Sequence, residues 1–443
     1  MRIPRHSIIY GTFILTGVSF LCRGIGFFYR MFISQTFGEE GMGIYQLTAP
    51  VMSMAFSVCC AGFQTALSRY VASKSNDKSS SLRFLFTGIT ITTLIASILS
   101  NVIYVFYDFL SEAILLEPRT APLLRVLALA FPFSAIHCCV NGYFYGMKKA
   151  EIPAILQFIE QISRVGSVMF LSSIYMKHHF EVPLALTAAG SAIAECISTI
   201  VSLCFIFPQI SKLQTSRKSR IVKYRDTFFS TASCLLSMAV PLSASRIIVN
   251  LLQNVENIYI PEMLRQFGLT TSESLSLFGV LTGMALTIIL LPSSLVNSVS
   301  VLLLPRISEA QAGNESQNIA RVIRRSITFS CTLGLFCSTV FFLSGRFIGE
   351  LLFHSETAGD YIVRLSFICP FLYITSSLGS ILHGLGKTYV TLFINVGTLL
   401  LRISSVFILI PQMGIPGYIL GLLTGQCFSA VCCIISLRKY AMY

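Results

Sequence analysis

Runs of about twenty or more apolar residues follow one another along the whole chain, separated by short polar breaks. Such runs are too long and too uniformly apolar for porin strands, which alternate every second residue. Charged residues make up only 12% of the chain, about half the fraction expected of a soluble protein. The sequence therefore predicts an all-α membrane protein of about twelve transmembrane helices, over 8–36, 42–72, 84–107, 121–146, 151–176, 183–208, 229–261, 276–305, 327–352, 360–384, 388–410 and 417–437.

Positive charge is distributed unevenly between the two sides of the membrane. When successive polar breaks are assigned to alternate sides, most of the 32 lysines and arginines fall on the side of the N-terminus. Both termini are therefore predicted to be cytoplasmic. The net charge of +13 is mostly this excess, which also favours contact with anionic membrane lipids. A nucleic-acid partner is not expected, because it would need a basic surface on a soluble domain.

An internal repeat divides the chain into two halves. Residues 132–171 align without gaps with residues 370–409, with identities at polar or turn-forming positions: Pro132/Pro370, Gly146/Gly384, Lys149/Lys387 and Arg164/Arg402. Each half holds an even number of spans, so both halves face the same way, as in transporters with parallel repeats and a substrate path between them. We predict a six-helix lobe over 1–208, a cytoplasmic linker over 209–228 and a second six-helix lobe over 229–443, a MATE-like arrangement.

Several charged residues fall inside the predicted spans, where each costs a few kcal/mol unless it faces water or a partner. Arg23 and Arg30 are seven residues apart and share one face of the first helix, while Arg246 has a similar place in the second half. We predict that these three arginines bind substrate in a cavity between the lobes. Snorkelling towards the membrane surface, or pairing with Glu256 or Glu195 across helices, is the alternative.

For a second group of intramembrane charges, we predict either a structural role or a role in coupling transport to an ion. Glu160 and Arg164 are four residues apart on one helix and are predicted to pair with each other. Arg402, at the place equivalent to Arg164, has Thr398 where that glutamate would be, so its partner must come from another helix. Glu195 and Glu256 complete this group.

Motifs for catalysis, cofactors and metals do not emerge from the sequence. The 14 cysteines have neither zinc nor haem spacing and are expected to serve as small packing residues. The segment HGLGKT at 383–388 ends like a phosphate-binding loop, but Ile381 takes the place of its first glycine. His137 and His383 lie in or beside apolar helices and are expected to be packed, neutral side chains. The sequence thus predicts a protein that is not an enzyme and has no cofactor or metal.

The first seventy residues carry a fairly specific motif: Gly11, Arg23, Gly26, Phe27 and Arg30, then Phe37-Gly38-Glu39-Glu40-Gly41, Gly43, Tyr45, Pro50 and Ser68-Arg69. This motif resembles the stage V sporulation protein B-like polysaccharide flippases of the multidrug/oligosaccharidyl-lipid/polysaccharide exporter superfamily. The resemblance implies two six-helix bundles in a V, which flip a lipid-linked sugar outward by alternating access. In related lipid II flippases, cavity arginines are thought to hold the substrate diphosphate. Arg23 matches one of them, the second falls on Tyr29 with Arg30 alongside, and the arginine of the eighth helix falls near Thr287.

Three functions are weighed on this basis. The preferred one is a bacterial cytoplasmic-membrane flippase for a lipid-linked oligosaccharide or peptidoglycan-type precursor, in envelope polysaccharide or spore cortex synthesis. The others are a MATE-type multidrug or small-molecule cation antiporter, and a membrane scaffold or membrane enzyme. Five intramembrane arginines against three glutamates favour an anionic substrate, since the guanidinium fork suits phosphate. We expect a monomer with a sodium ion or a proton as the coupling ion.

Overall fold

The computed structural model describes residues 5–73, 77–177, 183–214, 224–293, 295–296 and 316–441. These residues form helices and turns, with no strand among them. The main α-helices are Arg5–Leu47, Ala49–Phe56, Gly62–Ser73, Lys78–Val105, Ala121–Ala128, Phe131–Gly146, Glu151–Lys177, Ala185–Gln214, Tyr224–Gln266, Thr271–Gly279, Leu286–Leu290, Ser316–Phe353, Glu356–Leu365, Cys369–Gly384, Thr388–Ile408 and Ile415–Ala441. Single π-helical turns cover Ser57–Ala61, Leu110–Ile114 and Val280–Ala285.

Ten helical stretches in the described part of the chain are long and apolar enough to cross a membrane. An eleventh is formed if the bent pair Pro118–Ala128 and Phe131–Gly146 counts as one crossing. The predicted all-helical membrane fold is therefore confirmed. Two predicted segments are covered only in part: residues 294 and 297–305 of the eighth span and 215–223 of the linker lie outside the described residues.

Helix ends follow from local sequence. Asp77 caps the Lys78–Val105 helix by accepting hydrogen bonds from the backbone N–H groups of Ser79 and Ser80 at 3.0 and 3.2 Å. The Ser80 hydroxyl, which donates to Oδ2 of Asp77 at 2.6 Å, and these backbone bonds lower the pKa of Asp77. Prolines take the first turn of the helices that begin at Ala49, Phe131 and Cys369, where a missing N–H has no consequence.

Gly38 interrupts the first long helix. Its backbone has φ 72° and ψ −175°, inside the Arg5–Leu47 segment. A positive φ of this kind is readily adopted only by glycine. The break falls between the first two predicted spans, within the Phe37–Gly41 motif.

Contacts group the chain into two compact units. Unit one contains Met1–Tyr29 and Thr48–Leu251, and unit two contains Arg30–Leu47 and Leu252–Tyr443. Two long helices, Arg5–Leu47 and Tyr224–Gln266, therefore contribute residues to both units. The lobes 1–208 and 229–443 stay a prediction.

Each unit has its own apolar core. In unit one, Phe63, Leu67, Leu85, Tyr143 and Leu235 pack together. In unit two, the core is formed by Leu378, Leu382, Ile394, Cys433 and Leu437. The same helices expose large apolar side chains elsewhere, such as Phe207, Leu343 and Phe393, which is expected of surfaces that face lipid.

Glycines allow helix backbones to touch, the kind of packing that holds helices together in lipid. In unit one, a Cβ on Gly62 would overlap the carbonyl oxygen of Ala239. In unit two, a Cβ on Gly43 would overlap the carbonyl oxygen of Leu275, and one on Gly279 would overlap that of Glu39. Larger residues at these positions would force the helices apart.

Candidate functional site

Arg23 lies in unit one, on the first long helix. Its side chain is exposed, and it makes no hydrogen bond or ion pair with another residue in the described part of the chain. Gly26, one turn further on, lies against Gln161: a Cβ there would be 3.2 Å from the amide nitrogen of that side chain. This part of the helix therefore approaches the Glu151–Lys177 helix, while the charge of Arg23 remains uncompensated by a described neighbour.

Arg246 shares these properties, although it comes from the second half of the sequence. It lies on the Tyr224–Gln266 helix, in the part that belongs to unit one. Its side chain is exposed and has no hydrogen-bonding or ion-pairing partner within the described ranges. One turn on, Asn250 donates hydrogen bonds to the Ser53 carbonyl at 3.4 Å and to the Ser57 hydroxyl, which fixes this helix within unit one.

Arg30 belongs to unit two. Its Nη1 donates a hydrogen bond to Oγ1 of Thr287, whose hydroxyl in turn donates to the carbonyl of Gly283 at 2.8 Å. Of the three arginines predicted to bind substrate, the structure thus places Arg23 and Arg246 in one unit and Arg30 in the other.

A polar cluster within unit one is built around the predicted pair of Glu160 and Arg164. The pair is confirmed, because Nη2 of Arg164 forms a salt bridge with Oε1 of Glu160. His137 joins this cluster through its Nε2, 3.8 Å from Oε2 of Glu160. The other ring nitrogen of His137 lies 2.6 Å from the hydroxyl of Ser198. His137 is buried, as predicted, but it connects polar groups on three helices and is not a packed apolar contact. The sequence did not indicate this polar role, because a single histidine in an apolar run is usually a packed, neutral side chain.

Glu195 completes the cluster in unit one. It lies beside the Ser134 hydroxyl and interacts electrostatically with Glu160 and Arg164. Its Oε2 is buried and has no hydrogen-bond donor among the described residues. The carboxylates of Glu160 and Glu195 therefore both lie near Arg164, and Oε2 of Glu195 accepts no hydrogen bond from a described residue.

A second ion pair lies in unit two, with Glu256 at its centre. The Glu256 side chain has no exposed surface, and its Oε1 accepts from Nε of Arg402 at 2.9 Å and from the hydroxyl of Tyr418 at 2.7 Å. Arg402 thus finds its partner on another helix, as the sequence required. Because Glu256 is bound to Arg402, it does not neutralise Arg23 or Arg246. The part played by Tyr418 was not anticipated.

Helices of this number and apolarity, with charged groups held inside them, are those of a polytopic membrane protein. The chain belongs to the polysaccharide biosynthesis protein family, which matches residues 8–311.

Individual proteins that are similar to this chain are consistent with the family assignment. Stage V sporulation protein B of Bacillus subtilis is 26% identical over 427 residues, which cover 95% of this chain and 82% of the relative. Lipid II flippase MurJ of the same organism is 21% identical over 463 residues, covering 99% and 84%. A solved lipid II flippase MurJ in an inward closed conformation superposes with a TM-score of 0.72 at 16% identity, covering 97% of this chain and 90% of that one. An inward-facing MATE family transporter of the MOP superfamily gives a TM-score of 0.71 at 13% identity, covering 97% of each chain.

These similarities settle the class. The fold is that of MATE-like transporters, and the chain is a multi-pass protein of the cytoplasmic membrane. The relatives with an activity in their names are transporters or flippases.

Proposed function

We propose that this protein flips a lipid-linked saccharide precursor across the cytoplasmic membrane by alternating access, without catalysing covalent chemistry. The observation that carries the proposal is an asymmetry among the intramembrane charges. Glu160 and Glu256 are each paired with an arginine, whereas the exposed side chains of Arg23 and Arg246 have no partner in the described part of the chain. A headgroup with phosphate charge supplies the missing partner. A cation antiporter would need the opposite balance.

The named relatives support the same substrate class. One is a lipid II flippase and another a sporulation protein, so a peptidoglycan-type precursor fits both. In this role, the planar fork of each arginine would bind phosphate oxygens in pairs, which a lysine does less well. Arg30, which donates a hydrogen bond to Thr287, is the third arginine that the sequence assigns to substrate binding. Anionic lipids at the cytoplasmic surface and a monomeric state are part of the proposal.

The topology we propose has twelve spans in two six-helix lobes, 1–208 and 229–443, with both termini in the cytoplasm. The stretch Gly17–Ser73 has 57 residues, or about 85 Å of helix at 1.5 Å per residue, far more than one bilayer crossing needs. The break at Gly38 supports counting it as two spans. With the bent pair Pro118–Ala128 and Phe131–Gly146 as one span, the ten long stretches then become twelve.

Corresponding helices support the proposed repeat. Phe131–Gly146 and Cys369–Gly384 each have 16 residues and a proline in the first turn. Each ends at a glycine of the aligned segments. The next long helix then carries Arg164 in one half and Arg402 in the other.

The remaining intramembrane charges divide into two roles. We assign a structural role to the pair of Glu256 and Arg402, because it is buried and bound to Tyr418 as well. We assign the coupling role to Glu195, with Glu160 and Arg164 as its charged neighbours. Unlike Glu256, whose Oε1 is ion-paired with Arg402, Glu195 forms no ion pair in the described part of the chain, so its carboxylate can bind a proton or a sodium ion.

Flipping of a fluorescent lipid-linked precursor in proteoliposomes tests the function. The double substitution Arg23→Ala, Arg246→Ala should abolish flipping, and the corresponding lysine variants should weaken it, with insertion intact. Arg346→Ala is the matched control, because Arg346 is exposed and bound to Asp360 at 2.9 Å. Normal flipping by the double alanine variant refutes the role of the arginines. Export of a cationic dye without lipid flipping would establish the antiporter instead.

A further inference from the structure

A cavity of about 730 Å³ lies within unit one, between the end of the Lys78–Val105 helix and the start of the Ala121–Ala128 helix. Tyr104, Tyr107 and Asp108 line one side, and Arg119 and Arg125 line the other. The volume is within the range of sites that hold small molecules. The cavity contains none of the arginines assigned to the headgroup above.

The guanidinium of Arg125 is held in place by two tyrosines. Its Cζ lies 5.3 Å from the ring centroid of Tyr104 and 5.7 Å from that of Tyr107, within the range of cation–π attraction. Nη2 also donates a hydrogen bond to the Tyr104 hydroxyl at 3.2 Å. Because a guanidinium has five N–H donors, several remain available to a ligand while the side chain is already oriented.

Arg119 is oriented by a buried carboxylate. Nε donates to Oε1 of Glu117 at 2.6 Å, and Nη2 to Oε2 at 3.3 Å. Only 5% of the Glu117 side chain is exposed, against 48% for Arg119. Arg119 thus forms part of the cavity wall, and the carboxylate of Glu117 compensates its charge.

The balance of charge favours a polyol over a free anion. Arg119 and Arg125 face the negative charges of Glu117 and Asp108, so the site has no excess positive charge for a diphosphate. A sugar needs both donors and acceptors for its hydroxyl groups, together with an apolar surface for its C–H face. Guanidinium, carboxylate, phenol hydroxyl and aromatic ring are all present in this cavity.

We propose that this cavity binds the saccharide headgroup of the lipid-linked substrate. This inference rests on the proposed function and deepens it: in the proposed topology, residues 108–119 lie outside, so the cavity would receive the sugar after it has crossed. Tyrosines at this depth also suit the membrane interface, and a site for a phospholipid headgroup is the competing outcome.

Saturation-transfer NMR on the full-length protein in nanodiscs tests the proposal, with N,N′-diacetylchitobiose as the probe. The wild type should transfer saturation to the sugar ring protons, and the double variant Tyr104→Leu, Arg125→Gln should bind at least about tenfold more weakly, since two oriented groups are lost. Arg346→Gln, Tyr389→Leu is the control, with two exposed side chains of the same types in unit two. Because the double variant must be folded, Asp108→Asn, at an exposed position, provides a second, milder test.

Equal sugar binding by the wild type and both test variants overturns the proposal, as does no binding by the wild type. Binding of dihexanoyl-phosphatidylglycerol that is lost in both test variants, while sugar binding is unchanged in them, assigns the cavity to phospholipid and overturns the proposal too. The flipping measurement is separate: a wild type that binds sugar but flips no precursor refutes the proposed function alone, and one that flips precursor without binding sugar refutes only the cavity.

Discussion

Nε of Arg402 donates a 2.9 Å hydrogen bond to Oε1 of Glu256, 146 residues earlier in the chain, and the carboxylate has no exposed surface. The pair joins the Tyr224–Gln266 helix to the Thr388–Ile408 helix within unit two. Tyr418 adds a third helix through its hydroxyl. Three helices of unit two therefore meet at one carboxylate oxygen.

Removing one partner should leave a buried charge unpaired. We expect Arg402→Ala to lower the free energy of unfolding by about 3–5 kcal/mol, and the double change Glu256→Leu, Arg402→Met to restore most of it. Thermal unfolding in detergent measures both. Arg346→Ala is the control, because its exposed pair with Asp360 should contribute less than about 1 kcal/mol. If Arg402→Ala melts like the wild type, the pair has no structural role.

Thr287 should control the position of Arg30. Thr287→Val keeps the shape of the side chain but removes the acceptor, which should destabilise the protein by about 1–3 kcal/mol, as for a hydrogen bond to a charged group. Thr287→Ser keeps the hydroxyl and should behave like the wild type. Flipping should fall in the valine variant and persist in the serine variant. Identical stability and flipping in the two variants would contradict a role for this hydrogen bond.

Much of this arrangement could be predicted from the sequence, where its cause is local. The hydropathy of each run is enough to predict a helix, and the spacing of four residues predicts the Glu160–Arg164 pair. The proline at the start of the Phe131–Gly146 helix and its counterpart in the Cys369–Gly384 helix also belong to a repeat visible in the sequence.

Long-range partners could not be predicted in the same way. Nothing in the spacing of Glu256, Arg402 and Tyr418 relates them, although the cost of a charge in the membrane shows that each of the two charged residues needs a partner. Likewise, Arg23 and Arg30 share a helix face, yet the two residues belong to different units, because the Arg5–Leu47 helix contributes to both.

Two glycines of the first long helix should respond to alanine in opposite directions. A Cβ on Gly43 would overlap the carbonyl oxygen of Leu275, whereas a Cβ on Gly24 would meet nothing within 4 Å. We expect Gly24→Ala to stabilise the protein by about 0.5–1 kcal/mol, through the lower flexibility of alanine in the unfolded chain. Gly43→Ala should destabilise it and slow flipping. Melting temperatures that rise in both variants would show that the close helix contact at Gly43 is not required.

Glu195 should link transport to an ion gradient. Glu195→Gln removes the charge but keeps the shape, so flipping should no longer respond to an imposed proton or sodium gradient. This variant leaves His137, Glu160 and Arg164 unsubstituted. The control is Glu151→Gln, an exposed glutamate at the start of the Glu151–Lys177 helix. Proteoliposomes with defined internal and external ions give the measurement, and an unchanged gradient response in Glu195→Gln would remove Glu195 from the coupling role.

The loops rich in lysine and arginine should lie on the cytoplasmic side of the membrane. We expect reporter proteins fused within 209–228 and 309–325 to lie in the cytoplasm, and those within 108–119 and 353–359 to lie outside. Paired fusions to a fluorescent protein and to alkaline phosphatase measure this without cysteine labelling, which the 14 native cysteines would complicate. The basic segment from Lys212 to Arg225 is decisive, because moving it across the membrane would place many positive charges outside. Phosphatase activity from a fusion in 209–228 would therefore reverse the orientation, and with it the position of the proposed saccharide cavity.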